Sequence, residues 1–300
     1  MELWIIFTFI AATAQTFRSA GQKNLKGKLN DFGASYVRFS YALPFAIIWL
    51  IFWGKITNQN IPDTNFNFWI WTTIGGLAQI AFTILLMMLF NLRNFAAGTA
   101  FSKTDILQAA IFEAIIIGEI VSLQVGIGIF IGVIAVLILS FQKSFRGFLD
   151  LSKSILSYQT FIGLSSGAFL GLSTVAFRAA TDSLETGDVM MRASTTASLS
   201  ILFQTIVMGL AIYTFNKNEL KRTFIHWKEG MFVGFFAAVT TACWFSAFSL
   251  KNVASARAVG QIELLITLIV SSLFFKERIT KTEYLSITFL VVSILLVILD

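Results

Sequence analysis

Two stretches of this sequence repeat each other at a constant offset of 158 residues. The first, at 90–119, reads FNLRNFAAGTAFSKTDILQAAIFEAIIIGE, and the second, at 248–277, reads FSLKNVASARAVGQIELLITLIVSSLFFKE. Eight aligned positions are identical, namely Phe90/Phe248, Leu92/Leu250, Asn94/Asn252, Ala96/Ala254, Ala100/Ala258, Leu107/Leu265, Ile111/Ile269 and Glu119/Glu277. Two further pairs keep their charge, Arg93/Lys251 and Asp105/Glu263. Matched acids at matched spacing indicate an internal duplication.

The segments around these stretches are too apolar for a soluble domain. Hydrophobic residues make up 56% of the 300 residues and charged residues only 13%, which leaves too little polar surface to cover a globule. The apolar runs are continuous and reach the roughly 20 residues that a membrane-spanning helix needs. They lack the alternation of barrel strands. The sequence therefore predicts an all-α, polytopic membrane protein.

Ten transmembrane helices can be placed, in two sets of five. They fall at about 3–20, 34–53, 66–90, 95–117, 120–141, 158–180, 187–215, 229–250, 253–275 and 282–299. Residues 1–141 and 158–300 form the two repeats, and 142–157 form a charged connector on the cytoplasmic side. An odd number of helices per repeat inverts the second repeat relative to the first. Pro44, near the middle of the second segment, predicts a kink.

The basic residues fall on one side of this arrangement. Fourteen lysines and arginines occupy alternate loops, and the other loops hold only Lys55 and Lys251. The positive-inside rule places the basic loops in the cytoplasm and both termini on the non-cytoplasmic side of a cell (inner or plasma) membrane. The net charge of +6 therefore reflects topology, and we expect no nucleic-acid partner.

Glycines spaced four residues apart predict close helix packing. Such pairs or triplets are Gly163/Gly167/Gly171, Gly128/Gly132 and Gly230/Gly234. Small residues let helices approach where lipid provides no hydrophobic drive. The same stripes can serve as sliding surfaces between moving helices, or as a homodimer contact, and the sequence leaves these alternatives open.

The end of each repeat resembles a known transporter family. Gly118 and Glu119, followed by Gln124, Gly128 and an apolar run to residue 139, resemble the close of an EamA-type repeat. The second copy has Glu277 before its last helix but Lys276 in place of the glycine. The whole chain is similar to the ten-helix drug/metabolite transporter superfamily. That resemblance implies a carrier of small metabolites, often an amino-acid exporter, without naming the substrate.

Polar residues in the fourth and ninth segments are the main candidates for a substrate site. Thr99 and Lys103 share one helix face in the first copy, and the aligned Arg257 and Gln261 share it in the second. We expect Lys103 and Arg257 to border a central cavity and attract a carboxylate or phosphate. Asp105 and Glu263 would balance these cations, bind an amino group or carry a coupling proton. Silent pairing inside the bundle is the alternative.

Several other polar residues lie within or near the apolar segments. Gln79 and Trp244 can line the cavity, although packing alone also accounts for Trp244. Arg18 and Arg178 end corresponding segments of the two repeats, where they either reach the interface or act as gates. For Arg38 and Arg192 we expect the interface.

Three glutamates complete the candidates. Glu113 is either a proton site or a residue near the interface. Glu119 and Glu277 are expected to hydrogen-bond the backbone at tight connections between helices.

These features favour a secondary transporter that binds a small zwitterionic or anionic metabolite. The chain has no GxxxxGK[ST] motif for ATP hydrolysis, and no HExxH motif. Its one cysteine, Cys243, and one histidine, His226, are far apart in sequence, so we expect neither an enzyme nor a metal or cofactor site. The expected partners are a small molecule and membrane lipids, with proton coupling possible in principle. A channel is the runner-up, and an intramembrane enzyme is a distant third.

Overall fold

The computed structural model describes residues 2–25, 27–92, 104–141, 158–266 and 281–300. Within these ranges the chain is helical and contains no strand. The helices are α1 (Leu3–Leu25), α2 (Asp31–Ser40), α3 (Leu43–Thr57), α4 (Phe66–Leu92), α5 (Asp105–Ile116), α6 (Leu123–Phe141), α7 (Tyr158–Asp182), α8 (Val189–Phe215), α9 (Lys217–Ile225), α10 (Trp227–Leu250), α11 (Val253–Val259) and α12 (Lys281–Ile298).

Five described segments are long and apolar enough to cross a membrane: Asp31–Thr57, Phe66–Leu89, Phe161–Asp182, Val189–Phe215 and Trp227–Leu250. Shorter apolar stretches lie at Leu123–Val136 and Tyr284–Ile298. The all-helical membrane architecture predicted from the sequence is thus confirmed. The count of ten spans and the division into two repeats stay predictions, because parts of the fourth and ninth segments lie outside the described residues.

The first and second halves of the chain pack mainly against each other. In the first half, α1 lies along α10 and α4 lies along α7, while α6 lies along α12. The sequence alignment pairs α1 with α7 and α4 with α10, so the first two contacts are reciprocal. A polar group on α1 or α4 is therefore close to the other half of the chain.

Glycines allow these helices to approach closely. In α7, a Cβ on Gly171 would lie 3.0 Å from the Ala109 nitrogen and the Asp105 carbonyl of α5. In α6, a Cβ on Gly128 would lie 3.1 Å from the Ser293 carbonyl of α12. The packing role predicted for the glycine stripes is confirmed at these positions.

Two helices are interrupted near the centre of the bundle. Backbone between α2 and α3 turns at Tyr41 and Ala42, directly before Pro44 at the start of α3, which confirms the predicted distortion. In α11 the regular pattern ends at Gly260, and Glu263 N–H bonds back only three residues to the Gly260 carbonyl. Such interruptions expose backbone groups that are tolerated in a membrane protein only where protein or a cavity surrounds them.

Polar contacts join the connections at each end of the bundle. At the basic end, Lys28 pairs with Glu229 at 2.5 Å, and Asn30 N–H donates to Glu219 Oε1 at 2.6 Å. At the other end, Gln59 Nε2 donates to Asp188 Oδ2 at 2.8 Å. The loops that the sequence places on one side of the membrane therefore do meet. The charged connection at 216–228, expected to be a loop, instead contains α9, which Asn216 caps.

Candidate functional site

A polar cavity lies between the two halves of the chain, near the middle of the bundle. It is lined by Gln15, Arg18, Arg38, Gln79 and Phe82 from the first half, and by Leu170, Thr174, Thr240, Thr241, Trp244, Phe245, Phe248 and Arg257 from the second. Its volume is about 30 Å³, which is space for one or two water molecules. This volume is too small for a metabolite in the conformation described.

Arg257 forms the best-defined ion pair at this site. From α11 it donates through Nε to Asp105 Oδ2 at 2.8 Å, and its Nη2 lies 2.6 Å from the same oxygen. Asp105 begins α5 in the other half and is fully buried. The sequence predicted that these acids would either balance cations at the cavity or merely pair inside the bundle, and the contact between Asp105 and Arg257 is expected from both alternatives.

Trp244 forms a wall of the cavity against Arg257. The Arg257 guanidinium carbon lies 4.8 Å from the indole centroid, a cation–π contact. The indole fits because Gly260 has no side chain, since a Cβ there would lie 2.4 Å from the Trp244 Cη2 atom. Trp244 therefore lines the cavity. Cavity lining was one of the two roles that the sequence allowed for it, and packing alone was the other.

Gln15 links Trp244 to the second acid. It accepts from the Trp244 indole N–H at 3.1 Å through Oε1, and it donates through Nε2 to Glu263 Oε2 at 2.8 Å. Glu263 is itself buried but does not line the cavity. Both ends of the Gln15 amide are thus engaged. No feature of the sequence singles out Gln15, because one glutamine in an apolar helix is common.

Arg18 and Arg38 also face the cavity, and both are almost completely buried, with 3% and 5% of their surface exposed. The interface position predicted for Arg38 is therefore wrong, and Arg18 does not reach the interface either. Arg38 Nη1 donates to Thr83 Oγ1 at 2.8 Å, and its guanidinium lies near the rings of Phe39 and Phe82. Among the described residues neither arginine forms an ion pair with a carboxylate.

Gln79 faces the cavity from α4 as predicted, and its neighbour fixes its orientation. Gln204 Nε2 donates to Gln79 Oε1 at 2.8 Å. Because the oxygen is used as an acceptor, the amide N–H groups of Gln79 are left to donate. Gln79 therefore adds a donor to a lining that already contains three guanidinium groups.

Two other predicted substrate ligands are not placed in the lining. Gln261 is fully buried beside Gly132, away from the cavity, and neither its Nε2 nor its Oε1 has a hydrogen-bond partner among the described residues. Lys103 lies outside the described residues. Arg257, Gln79 and Trp244 remain in direct contact with the cavity, while Asp105 and Glu263 stand behind it.

Arg178 and Glu113 form a separate network at the end of the bundle opposite the basic loops. Arg178 pairs with Glu113 and, at 2.6 Å, with Glu119, and it approaches Asp182 at 3.5 Å. Glu113 also accepts from the backbone N–H groups that begin α11, those of Val253 at 2.7 Å and Ala254 at 3.1 Å. The carboxylate suits the positive end of the helix dipole.

Two of the three glutamates singled out in the sequence lie in this network. Glu113 is fully buried within it, and both roles predicted for it, a proton site and a position near the interface, stay predictions. Glu119 binds a side chain rather than the backbone we expected, while Gly118 does adopt the positive φ of 82° required for a tight turn. Glu277 lies outside the described residues. Arg178 and Glu113 thereby connect α5, α7 and α11, which carry residues of both halves.

The fold and the cavity together define a helical membrane protein with a polar site enclosed between its two halves. Within the described ranges, no group of three or more metal-ligating side chains occurs. The structure matches 27 chains of solved structures. One crystal structure superposes on 99% of this chain and 96% of its own, with a TM-score of 0.73 at 11% identity, and at that identity the likeness shows the fold alone.

The family follows from the sequence of the second half. A model of the EamA-like transporter family matches residues 158–299, just under half of the chain, and this match confirms the resemblance predicted from the repeats. The family implies a membrane transporter of small solutes. No curated protein matches the sequence significantly.

Proposed function

We propose that this chain is a secondary transporter that moves a small carboxylate-bearing metabolite, such as an amino acid, by alternating access around the central cavity. The proposal adds substrate chemistry and mechanism to the transporter class that the family match gives. Export or exchange across a cell membrane is the mode we propose from the family resemblance, and the charge pattern places the basic loops in the cytoplasm.

The observation that carries the proposal is the gathering of Arg18, Arg38 and Arg257 around one cavity. Each is at most 5% exposed, and charged groups inside a membrane protein are costly unless they have a use or a partner. Arg257 has a partner in Asp105. For Arg18 and Arg38, a bound carboxylate is the natural partner, because guanidinium groups recognise carboxylates with paired hydrogen bonds.

Polar contacts at both ends of the bundle support alternating access. The Arg178–Glu113 network joins α5, α7 and α11 at one end, and the Lys28–Glu229 pair joins the connection after α1 to α10 at the other. In the proposed mechanism, a substrate reaches the cavity when one of these two sets of contacts separates. We propose that opening of the two ends alternates, which is how inverted-repeat carriers work. Under this proposal Arg178 and Glu113 belong to a gate, while Asp105 and Glu263 are available for proton coupling.

Reconstitution into proteoliposomes tests the proposal. We expect vesicles loaded with an unlabelled substrate to accumulate the same labelled compound by counterflow, and we expect the rate to saturate with concentration. Arg38→Gln should abolish counterflow, whereas Arg192→Gln should not, because Arg192 lies outside the cavity and donates to the Leu184 carbonyl. Flux that never saturates and shows no counterflow would instead identify a channel.

A further inference from the structure

We infer that the substrate of the central cavity carries two negative charges and no ammonium group, as a dicarboxylate or a phosphate monoester does. This inference rests on the proposed function and narrows it from carboxylates and amino acids to dianions.

Among the described residues, the lining contains donors for an anion but no carboxylate for an ammonium group. Its polar side chains in this part of the chain are arginines, glutamines, threonines and Trp244, with no aspartate or glutamate among them. Of the two acids nearby, Asp105 is engaged by Arg257 and Glu263 by Gln15. A zwitterionic amino acid would place its ammonium group among like charges.

The charges of the arginines also favour a substrate with two negative charges. The field of Arg257 is largely offset by its contact with Asp105, but Arg18 and Arg257 both act electrostatically on Arg38. Glu263 attracts Arg18 through space without a contact ion pair in the described structure. Two buried guanidinium groups, those of Arg18 and Arg38, thus have no contact anion in the described part of the chain. A second acidic group on the substrate would match the second guanidinium.

The hydrogen-bond pattern agrees with the charge pattern. Arg18 Nε is buried without a hydrogen-bond partner among the described residues. Gln79 presents its N–H groups because Gln204 occupies its oxygen. Anions accept hydrogen bonds and ammonium groups only donate them, so these positions favour oxygen atoms of an acidic group. Trp244, Phe245 and Phe248 provide an apolar wall for the body of the molecule.

Ligands of similar size but different charge test whether binding depends on the charge of the ligand or on its shape. Glutarate carries two carboxylates, 4-aminobutyrate replaces one of them with an ammonium group, and butyrate lacks the second charge. Phenyl phosphate tests the phosphate monoester. A ligand that binds the folded state raises the unfolding temperature in proportion to its affinity and concentration, so each compound is titrated against the purified protein in detergent.

We expect glutarate or phenyl phosphate to stabilise the protein at concentrations at least about tenfold lower than butyrate or 4-aminobutyrate, since a charge-assisted hydrogen bond contributes at least that factor. Whichever of the two dianions binds more tightly distinguishes dicarboxylate from phosphate. Arg18→Gln and Arg38→Gln should each remove most of the preference, Arg38→Lys should retain part of it, and Arg192→Gln should leave it unchanged.

Tighter binding of 4-aminobutyrate than of glutarate, or a dianion preference that survives in both glutamine variants, would overturn the inference. The same compounds are then used in counterflow. A dianion that binds but shows no counterflow contradicts the transporter mechanism and leaves the inference intact. Counterflow of the zwitterion alone contradicts the inference and leaves the transporter mechanism intact.

Discussion

Arg257 on α11 and Asp105 on α5 meet through a single carboxylate oxygen, which lies 2.8 Å from Nε and 2.6 Å from Nη2 of the arginine. The two side chains are 3% and 0% exposed. One belongs to each half of the chain, so this ion pair ties the halves together beside the cavity. A buried charge that loses its partner is strongly destabilising.

Replacement of either partner should therefore destabilise the protein. We expect Asp105→Asn or Arg257→Gln alone to cost about 3–5 kcal/mol of unfolding free energy, because each leaves the other charge buried and unpaired. The double variant should lose less than the sum of the two single losses. Thermal unfolding in detergent measures this. Full additivity, or single variants as stable as the original protein, would show that the pair contributes nothing.

The sequence located this pair but not its geometry. The repeat alignment singled out Asp105, Glu263 and Arg257, since acids and bases at matched positions are rare in apolar helices. The alignment could not show that Arg257 binds Asp105 of the other half rather than a neighbour on its own helix. That contact depends on how α5 and α11 cross, which no local spacing encodes.

Arg38 shows a second limit of sequence reasoning. It lies near the beginning of an apolar segment, where arginines ordinarily extend to the interface. The structure buries it against Thr83 and Phe82 of α4. Just beyond the end of α2, Gly234 of α10 packs directly against Tyr41. Hydropathy predicted where the apolar segments lie, and proline predicted the distortion before Pro44. The charge pattern predicted which loops lie at the same end of the bundle. The depth of one arginine depended on the packing of distant helices.

Gly234 provides a test of that packing. A Cβ at Gly234 would lie 2.3 Å from both the backbone carbon and the carbonyl oxygen of Tyr41, and backbone cannot move aside as a side chain can. We expect Gly234→Ala to destabilise the protein by about 1–3 kcal/mol through overpacking. Gly126→Ala is the matched control, because nothing lies within 4 Å of its Cβ position. Equal unfolding temperatures for the two variants would refute the close approach.

Glu113 should stabilise the first turn of α11 and slow amide exchange there. It accepts the N–H groups of Val253 and Ala254 as well as the Arg178 guanidinium. The neutral variant Glu113→Gln keeps the shape but loses the charge, which roughly halves the strength of such bonds. We expect amide hydrogen exchange at 253–254 to accelerate about tenfold.

Glu119→Gln is the control for that experiment. Glu119 also binds Arg178, but it is 45% exposed and forms no hydrogen bond or ion pair with α11 within the described residues. Exchange at 253–254 should stay close to the original rate in this variant. If both variants accelerate exchange equally, the effect comes from Arg178 and not from the cap that Glu113 provides.

Asp188 should make the stability of the end opposite the basic loops depend on pH. Burial by itself would raise the pKa of Asp188. Hydrogen bonds from the Met191 backbone N–H, at 2.7 Å, and from the Gln59 side chain, at 2.8 Å, outweigh it and lower the pKa below its ordinary 3.8. Since the folded pKa is the lower one, the carboxylate stabilises the fold above the ordinary pKa, and that stabilisation disappears as the pH falls through the folded value.

The variant Asp188→Asn isolates this contribution, because asparagine caps a helix as well as aspartate but does not titrate. We expect the original protein to unfold at a higher temperature than the variant near pH 6, and the difference to shrink below about pH 4. Relative to Asp188→Asn, Asp188→Ala should lose about 1 kcal/mol at every pH, since neither residue titrates and only asparagine keeps the cap of α8. A constant difference between the aspartate and asparagine proteins across the pH range would show that Asp188 keeps an ordinary pKa, and that its hydrogen bonds act only through the cap.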